Sequence, residues 1–339
     1  MKKILFISIL LLFINACQKD IIKKTDPRAV FEVFWQTMDE RYVFFKEKNL
    51  NWDSIYDVYY PKINENTPEE EIINYYKEII NYVHDGHVWI QFGEKRPALY
   101  HPYDLYSMPE PFEKQNKYYY SDTVIILNPL EISQFDDDIM YIEVPNFREK
   151  IINDILMLTV NKYFNYNNGI IIDIRGNTGG NEYLKLLSLF FNGSKTVLYK
   201  KLKTGKASDQ FSDFIPVKVK GNGFFSEKVP VVVLTNRGTY SGGSKFAAAT
   251  ISLSNFYIMG EPTSGGASKA DFISLPGNSI LSLSVRPYFD INKKCFETEV
   301  QPDTIVEMTK EYEALYILSG QDIVKLNAIK YLLSQKNKH

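Results

Sequence analysis

The chain has 339 residues, of which 45% are hydrophobic and 24% are charged, and its formal net charge at pH 7 is −2. This composition is that of a globular protein with one large domain or two. There is no excess of basic residues that would indicate a nucleic-acid partner, so we predict none.

The N-terminus has the pattern of a signal peptide. Residues 1–3 are Met-Lys-Lys, and residues 4–14 form an apolar run that is too short to span a membrane. The sequence INAC at residues 14–17 resembles the bacterial lipobox, in which a small residue precedes the cysteine that is lipidated. We therefore predict a lipoprotein signal peptide over residues 1–16.

Cleavage at this site would leave Cys17 as a lipidated N-terminus, followed by a polar tether over residues 17–25. The predicted location is the cell envelope, anchored by lipid to the outer membrane, on its periplasmic or its surface side. A plain secretory signal with a chance cysteine is the alternative. Since Cys295 is the only other cysteine, lipidation of Cys17 excludes a disulfide framework.

A helical subdomain is predicted over residues 26–90. Apolar residues at helical spacing begin after Asp26, and a second short helix follows residues 51–53. The third helix has clear start chemistry, because Thr67 is a suitable cap and Pro68 suits the first helical position.

The helical block ends in Asp85-Gly86-His87, just before a strand. Asp85-Gly86 is typical of a turn or a helix C-cap, so His87 lies at the tip of the block. Of the four histidines it is the best placed to act as a general base, and a polar turn histidine is the alternative. His84 and His87 have a metal-like spacing, but no third ligand follows at a suitable distance, so we predict no metal site.

The remainder of the chain predicts an α/β core. Residues 91–138 are rich in Pro, Tyr and Asp, and we expect an irregular connection there. Over residues 139–339 strands alternate with helices, and a last helix spans about 322–334. The buried strand 169–174 runs into the glycine-rich turn 175–180, which exposes backbone N–H groups. This turn is neither a Walker loop nor GxGxxG, so it does not indicate nucleotide binding.

Ser241 follows the buried strand 231–234, at a strand–turn–helix junction. Unpaired N–H groups of the first helical turn can bind an oxyanion at such a place, which is how a nucleophile is presented. An ordinary N-cap serine has the same local chemistry, and the stretch itself leaves both interpretations open. An α/β-hydrolase elbow is absent, because residues 239–243 are TYSGG rather than GxSxG.

Together, these motifs resemble the S41 serine peptidases, which are the tail-specific or C-terminal processing peptidases and their tricorn-core relatives. The matching stretches, which lie within residues 26–305, are Asp85–His87, Ile142 to Phe147, Asp173–Gly180, Asn236–Ser241, Gly260–Thr263 and Gln301–Asp303. The resemblance implies a crotonase/ClpP-like α/β spiral core after the helical subdomain. It also implies Ser241 as the nucleophile, with Gly179 or Gly180 and the residue after the nucleophile, Gly242, as oxyanion donors.

One branch of the family pairs the serine with a lysine that lies just after G-E-P-T. This chain has Ser-Gly-Gly at residues 264–266, and no lysine occurs before Lys269. The tricorn-like branch instead uses a histidine after the N-terminal helices, and His87 is in that position. A neutral imidazole with a pKa of about 6.5 can take the serine proton at pH 7.

In the tricorn-like branch a Ser/Glu relay orients the histidine. The relay glutamate lies a few residues before the P-D pair, which here implies Glu297, with Glu299 as the alternative. The relay serine is replaced by Gly86, so we expect that link to be missing or made by water.

These observations predict a lipid-anchored serine endopeptidase that cleaves protein or peptide substrates through Ser241, His87 and Glu297, with no metal or cofactor. The PDZ module of the family would fall within residues 91–138, which is too short a stretch for one, so we predict none. The alternative function is a catalytically silent lipoprotein that keeps the fold and binds a peptide or hydrophobic ligand.

Overall fold

A computed structural model describes residues 26–93, 124–127, 130–135, 137–160 and 165–336. The predicted signal peptide, the lipidation site Cys17 and the tether lie outside the described residues, as does most of the predicted connection. Within these ranges, no helix has both the length and the apolar character needed to cross a membrane.

The described residues form eight α-helices and twelve strands. In chain order the helices are α1 (Pro27–Arg41), α2 (Asp53–Tyr59), α3 (Glu69–Val83), α4 (Glu149–Val160), α5 (Tyr183–Leu187), α6 (Gly242–Thr250), α7 (Lys310–Ser319) and α8 (Ile323–Lys336). The strands are β1 (Trp89–Phe92), β2 (Val124–Leu127), β3 (Leu130–Phe135), β4 (Ile139–Glu143), β5 (Gly169–Asp173), β6 (Asn192–Lys200), β7 (Ile215–Asn222), β8 (Val231–Thr235), β9 (Phe256–Gly260), β10 (Ser268–Leu275), β11 (Ser279–Phe289) and β12 (Thr304–Ile305). The predicted α/β class, with a helical subdomain in front of the core, is confirmed.

Helices α1 to α3 pack around an aromatic core. The predicted start of α1 is observed, because the Asp26 carboxylate accepts a hydrogen bond from the Arg28 amide and Pro27 begins the helix. The buried aromatic side chains of this subdomain are Phe31, Phe34, Tyr42, Phe44, Phe45, Trp52 and Tyr76. Leu281 and Leu283 of β11 belong to the same cluster, so the helices pack directly on a strand of the α/β part.

The predicted cap of α3 is wrong. The helix begins at Glu69, with Pro68 in the cap position and without a side-chain cap. The Thr67 hydroxyl instead donates to the Lys62 carbonyl and accepts from the Asn64 amide. It closes the turn before the helix and is therefore not available to the first helical turn.

The larger sheet has the strand order β12-β9-β8-β5-β4-β3-β2. Strands β12 to β4 are parallel, and β3 and β2 are antiparallel at one edge. The expectation of irregular structure over 91–138 is wrong for β2 and β3. Strand β3 pairs with the edge of β4 and buries Ile132 and Phe135. These contacts make a paired strand more stable here than an irregular loop.

Strands β5 and β8 position the two glycine-rich loops. They are neighbours in the parallel part of the sheet, and Asp173 near the end of β5 is paired with Leu234 of β8. The loops that follow them, 174–182 and 236–241, therefore leave the sheet at the same edge, where parallel α/β proteins place their sites.

The smaller, antiparallel sheet has the order β1-β11-β6-β7, and β10 also pairs with β11. Strand β1 comes from the end of the helical subdomain, and its Trp89 is paired with Ser282 of β11. Because β1 begins two residues after His87, this pairing fixes the D-G-H turn against the second sheet.

Candidate active site

Ser241 lies where the loop after β8 enters α6. Its backbone has φ 53° and ψ −111°, and its side chain makes no hydrogen bond that caps the helix. Its amide donates to the carbonyl of Gly265 at 2.9 Å. The Ser241 Oγ lies 3.0 Å from the Nε2 of His87. The hydroxyl is therefore engaged by a histidine and does not act as a helix cap.

His87 reaches the serine from a turn that is held on both sides. His84 ends α3 in the left-handed conformation, with φ 48°, which turns the chain toward the core. The Asp85 carboxylate accepts a hydrogen bond from the His87 amide at 2.8 Å. The Ser282 hydroxyl of β11 donates to the His87 carbonyl at 2.7 Å. These contacts bring together two residues that are 154 positions apart in the chain.

An aromatic ring occupies the space beside the glycines that follow G-E-P-T. A Cβ on Gly266 would lie 2.5 Å from Cε2 of Tyr240, and the φ of Gly266 is 76°. A side chain with a Cβ at residue 266 is therefore incompatible with Tyr240 where it lies. The Tyr240 ring also packs on the imidazole of His87, with 5.1 Å between the ring centroids.

Gly179 and Gly180 face the start of α6. The Gly179 amide donates to the side chain of Asn177 at 2.8 Å, so this N–H is already engaged. A Cβ on Gly179 would lie 3.0 Å from the Cβ of Ser241, and its φ is 114°, so only glycine permits this approach.

The amides of Gly180 and Gly242 are placed differently from that of Gly179. In the described part of the chain, the N–H groups of Gly180 and Gly242 donate no hydrogen bond. A Cβ on Gly242 would lie 2.7 Å from the Gly180 nitrogen, so the two glycines are in close contact. Of the two candidate donors in the first loop, Gly180 is therefore the one whose amide makes no hydrogen bond among the described residues.

Asp85 is the carboxylate beside the imidazole. It is fully buried, and its Oδ1 is 3.9 Å from the Nδ1 of His87. Its Oδ2 accepts a hydrogen bond from the Ser284 hydroxyl of β11 at 2.8 Å.

Glu297, the predicted relay residue, lies in the same buried cluster, and both of its carboxylate oxygens are engaged. Its Oε1 is 3.4 Å from the Nζ of Lys48, and its Oε2 accepts from the Ala267 amide at 2.8 Å. Lys48 also donates to the carbonyl of His84 at 2.7 Å. Burial raises the pKa of the Glu297 carboxyl well above its ordinary value, the charge of Asp85 adds to this, and Lys48 opposes it.

Two alternatives considered from the sequence lie elsewhere. Glu299 is partly exposed and pairs with Arg237, whose Nη1 is 2.9 Å from its carboxylate. Lys269 is more than half exposed, and its nearest carboxylate is that of Asp271 at 3.8 Å.

Sequence reasoning missed four buried polar residues near the site: Lys48, Lys245, Ser282 and Ser284. Lys245 of α6 donates to the carbonyl of Ser268. Burial lowers the pKa of its ammonium group to about 8, and the charge of Glu297 partly opposes this shift. Ser282 and Ser284 are two positions apart on one strand, which places them on one face. That spacing was the available signal, but its meaning depends on which turn packs on that face.

A metal centre is not indicated by the described residues, since they contain no group of three or more His, Cys, Asp or Glu side chains that could bind an ion.

Two family models match the chain. Residues 138–306 match the model of Peptidase family S41, and residues 23–81 match the model of the Tricorn protease C1 domain. Ser241 and Glu297 lie within the first range, and His87 follows the second. No curated protein matches the sequence significantly.

Several solved structures share the fold. A candidate peptidase from Parabacteroides merdae ATCC 43184 is 28% identical, with a TM-score of 0.78, over 93% of this chain and 99% of that chain. The photosystem II D1 C-terminal processing protease is 14% identical, with a TM-score of 0.54, over 88% and 98%. A lipoprotein from Streptococcus agalactiae is 16% identical, with a TM-score of 0.53, over 86% and 96%. At these identities, the last two show the fold alone.

Proposed function

Because the chain belongs to peptidase family S41 and is a serine peptidase, we propose that it is a lipid-anchored endopeptidase whose chemistry is performed by Ser241 and His87. The observation that carries this proposal is the distance of 3.0 Å between Ser241 Oγ and His87 Nε2. This is hydrogen-bonding distance, which a nucleophile and its general base require.

The proposed reaction has two halves. The Ser241 Oγ attacks the scissile carbonyl carbon while His87 Nε2 takes its proton, so that a C–O bond forms and the carbonyl oxygen becomes an anion. As the C–N bond breaks, His87 gives this proton to the leaving amine. Water then gives a proton to His87 as its oxygen attacks the acyl carbon. The C–O bond to Ser241 breaks and His87 returns the proton to Ser241 Oγ, which releases the acid and restores the hydroxyl.

The anion formed in each half faces the start of α6. The amides of Gly180 and Gly242 are the proposed donors, since Gly180 lies in the loop after β5 and Gly242 is the first residue of α6, in close contact with it. A helix N-terminus adds a favourable dipole at the same place.

Glu297 is proposed to act on the imidazole indirectly, through Lys48. Lys48 joins its carboxylate to the carbonyl of His84, three residues before His87. We assign Glu297 the role of holding the turn that carries the base. This role needs no relay serine, which agrees with Gly86 at that position.

Lipid on Cys17 is proposed to keep the domain at the outer membrane. The support is the lipobox-like sequence before the tether, which places about nine residues between the lipid and α1.

One experiment tests the chemistry and the anchor together. Fractions of cells that produce the full chain are labelled with a fluorophosphonate probe at pH 8. We expect a labelled band in the membrane fraction, which disappears in Ser241→Ala and His87→Ala. Cys17→Ser should move the labelled band to the soluble fraction without abolishing the label, because anchor and site are separate.

Two variants control for indirect effects. His84→Asn changes a histidine three residues away and keeps a side chain that tolerates the left-handed conformation, so we expect normal labelling. Lys269→Met removes the nearest alternative base suggested by the sequence, with the same expectation. If the unmodified chain is not labelled between pH 7 and 9, the peptidase mechanism is wrong and the silent binding lipoprotein is supported.

A further inference from the structure

One charged side chain lies directly beside the imidazole of His87, and it belongs to a residue that the sequence indicated only as part of a turn. Asp85 Oδ1 is 3.9 Å from His87 Nδ1. We propose that Asp85, held by Ser284, is the positioning residue that orients His87 and stabilises its protonated form. This inference rests on the proposed function of the site.

Asp85 is fixed from two independent parts of the fold. Its Oδ1 accepts from the His87 amide at 2.8 Å, within the turn that joins α3 to β1. Its Oδ2 accepts from the Ser284 hydroxyl at 2.8 Å, on β11 of the smaller sheet. A carboxylate oxygen has more than one acceptor site, so Oδ1 can bind the amide and still face the imidazole. The carboxylate therefore has little freedom to leave the histidine.

This placement selects the useful form of the imidazole. Nε2 faces Ser241, and a negative charge near Nδ1 favours the proton on Nδ1, which leaves the lone pair of Nε2 free to accept the serine proton. The separation of 3.9 Å is too long for a hydrogen bond, so the action in this state is electrostatic. Catalytic contacts of this kind often shorten when substrate binds.

Among the described residues, the ionisable groups around the pair include Tyr42, Lys48, Glu297 and Tyr240. Burial raises the pKa of the Tyr42 hydroxyl well above its ordinary value, and the charges of Asp85 and Glu297 add to this, so Tyr42 stays neutral. Burial also raises the pKa of Glu297, which disfavours a second negative charge in the cluster. Two carboxyl groups with different environments commonly divide their roles, and here the one beside the imidazole is Asp85.

If Asp85 only held the turn, Asp85→Asn should leave both the imidazole pKa of His87 and the labelling rate unchanged. Aspartate and asparagine both form the turn in which a side-chain oxygen accepts from the amide two residues later. Asp85→Asn keeps that contact, and the Ser284 hydroxyl can rotate to accept from the new amide group. The substitution therefore removes the charge and retains the turn.

The test measures the His87 imidazole directly. The full chain is labelled with 15N-histidine, and its four histidines are titrated by NMR, with His87 assigned by its absence in His87→Ala. In Asp85→Asn the imidazole pKa of His87 should fall by about one pH unit, because a neighbouring negative charge is lost. The rate of fluorophosphonate labelling should fall by about 100-fold.

Three variants control the result. Glu297→Gln removes the other buried carboxyl and should change the imidazole pKa less than Asp85→Asn does. Ser284→Ala removes the hydrogen bond to the Asp85 carboxylate and should slow fluorophosphonate labelling. Ser284→Thr keeps the hydroxyl and should be labelled at the normal rate. The Ser284 pair also tests the inference if Asp85→Asn fails to fold.

The proposal is overturned if Asp85→Asn leaves the imidazole pKa unchanged, if Glu297→Gln lowers it as much, or if Ser284→Ala is labelled at the normal rate. Failure of the proposed function is recognised separately. In that case the unmodified chain is not labelled at all, while the lower imidazole pKa of Asp85→Asn still supports the pairing of Asp85 with His87.

Discussion

Ser241 has a backbone conformation that residues with a Cβ rarely adopt. Its φ of 53° with ψ of −111° lies outside the helical and extended regions, and such strained residues typically cost about 1–3 kcal/mol. The hydrogen bond from the Ser241 amide to the Gly265 carbonyl and the close approach of Gly179 hold the conformation. Its effect is to keep Oγ out of the helix-cap position and within reach of His87.

At Ser241, glycine should therefore be more stable than alanine. Both substitutions remove the hydroxyl, and only glycine relieves the positive φ, so Ser241→Gly should have the higher free energy of unfolding by about 1 kcal/mol. Urea unfolding of the two variants measures the difference. Ser188 has an ordinary helical φ of −62°, and there the glycine variant should be the less stable one. Equal stabilities at Ser241 would contradict stored strain.

The elements around the site are joined by a buried charge cluster. Arg175 follows β5, and its guanidinium is 2.6 Å from Asp173 at the end of that strand and 2.6 Å from Asp322 before α8. Asp322 also accepts hydrogen bonds from the amides of Val324 and Lys325, so it caps α8 as well. The C-terminal helix is thereby fastened to the loop that carries Gly180.

Asp322→Asn should lower the free energy of unfolding at pH 7 by about 3 kcal/mol, because asparagine keeps the cap and leaves Arg175 with one carboxylate. Burial acts to raise the pKa of Asp322, but the charges of Arg175 and Lys325 outweigh it and lower the pKa to about 2. With a lowered folded pKa, the stabilisation is complete above the ordinary value of 3.8 and is lost as the pH falls toward 2. Urea unfolding between pH 7 and pH 2 should therefore show the two proteins converging.

The matched control for this prediction is Asp154→Asn. Asp154 pairs with Lys150 on α4, and the Lys150 side chain is 76% exposed, so its loss should change the free energy by less than about 0.5 kcal/mol. A constant difference between Asp322→Asn and the unmodified chain at all pH values would show that the ion pair is not the cause.

At the scale of the molecule, the site combines a residue of the helical subdomain with a residue of the α/β core. His87 belongs to the helical subdomain, whose hydrophobic cluster extends to β11, while Ser241 directly precedes α6 of the α/β core. The pair of Lys48 and Glu297 crosses this boundary with both side chains almost fully buried. The relative position of His87 and Ser241 therefore depends on contacts between the two parts.

Lys48→Met should destabilise the chain by about 3–5 kcal/mol, since it leaves a buried carboxyl without its partner. Because the folded pKa of Glu297 is raised, the folded state favours the protonated form, and stability is lost as the pH rises through that pKa. Removing Lys48 raises this pKa further. Urea unfolding should therefore show a larger loss at pH 8 than at pH 5.

The double variant Lys48→Met with Glu297→Gln should recover most of this stability and lose the pH dependence, as a coupled pair requires. Lys195→Met serves as the exposed counterpart, because Lys195 and Glu227 form a pair at the surface, and it should change little. A loss that is equal at pH 5 and pH 8 would argue against a role for the Glu297 charge.

The sequence predicted the elements whose patterns are local. The buried strands β5 and β8, the start of α1 and the position of the D-G-H turn agree with expectation. Thr67 was assigned to the wrong partner, because its hydroxyl closes the turn with Lys62 and Asn64 instead of capping α3. Strands β2 and β3 were missed, because their pairing with each other and with β4 determined the outcome.

For the site, the chain by itself determined which stretches carry chemistry, since a glycine-rich turn after a buried strand and a serine before a helix are local features. Only the tertiary structure decided how the side chains are used. It brought the His87 imidazole to Ser241, filled the space beside Gly266 with the ring of Tyr240, and paired Asp85 with Ser284 of β11. The physical reason is that hydrogen-bond and charge partners are set by distance in space, and residues such as Asp85 and Ser284 are about 200 positions apart in the chain.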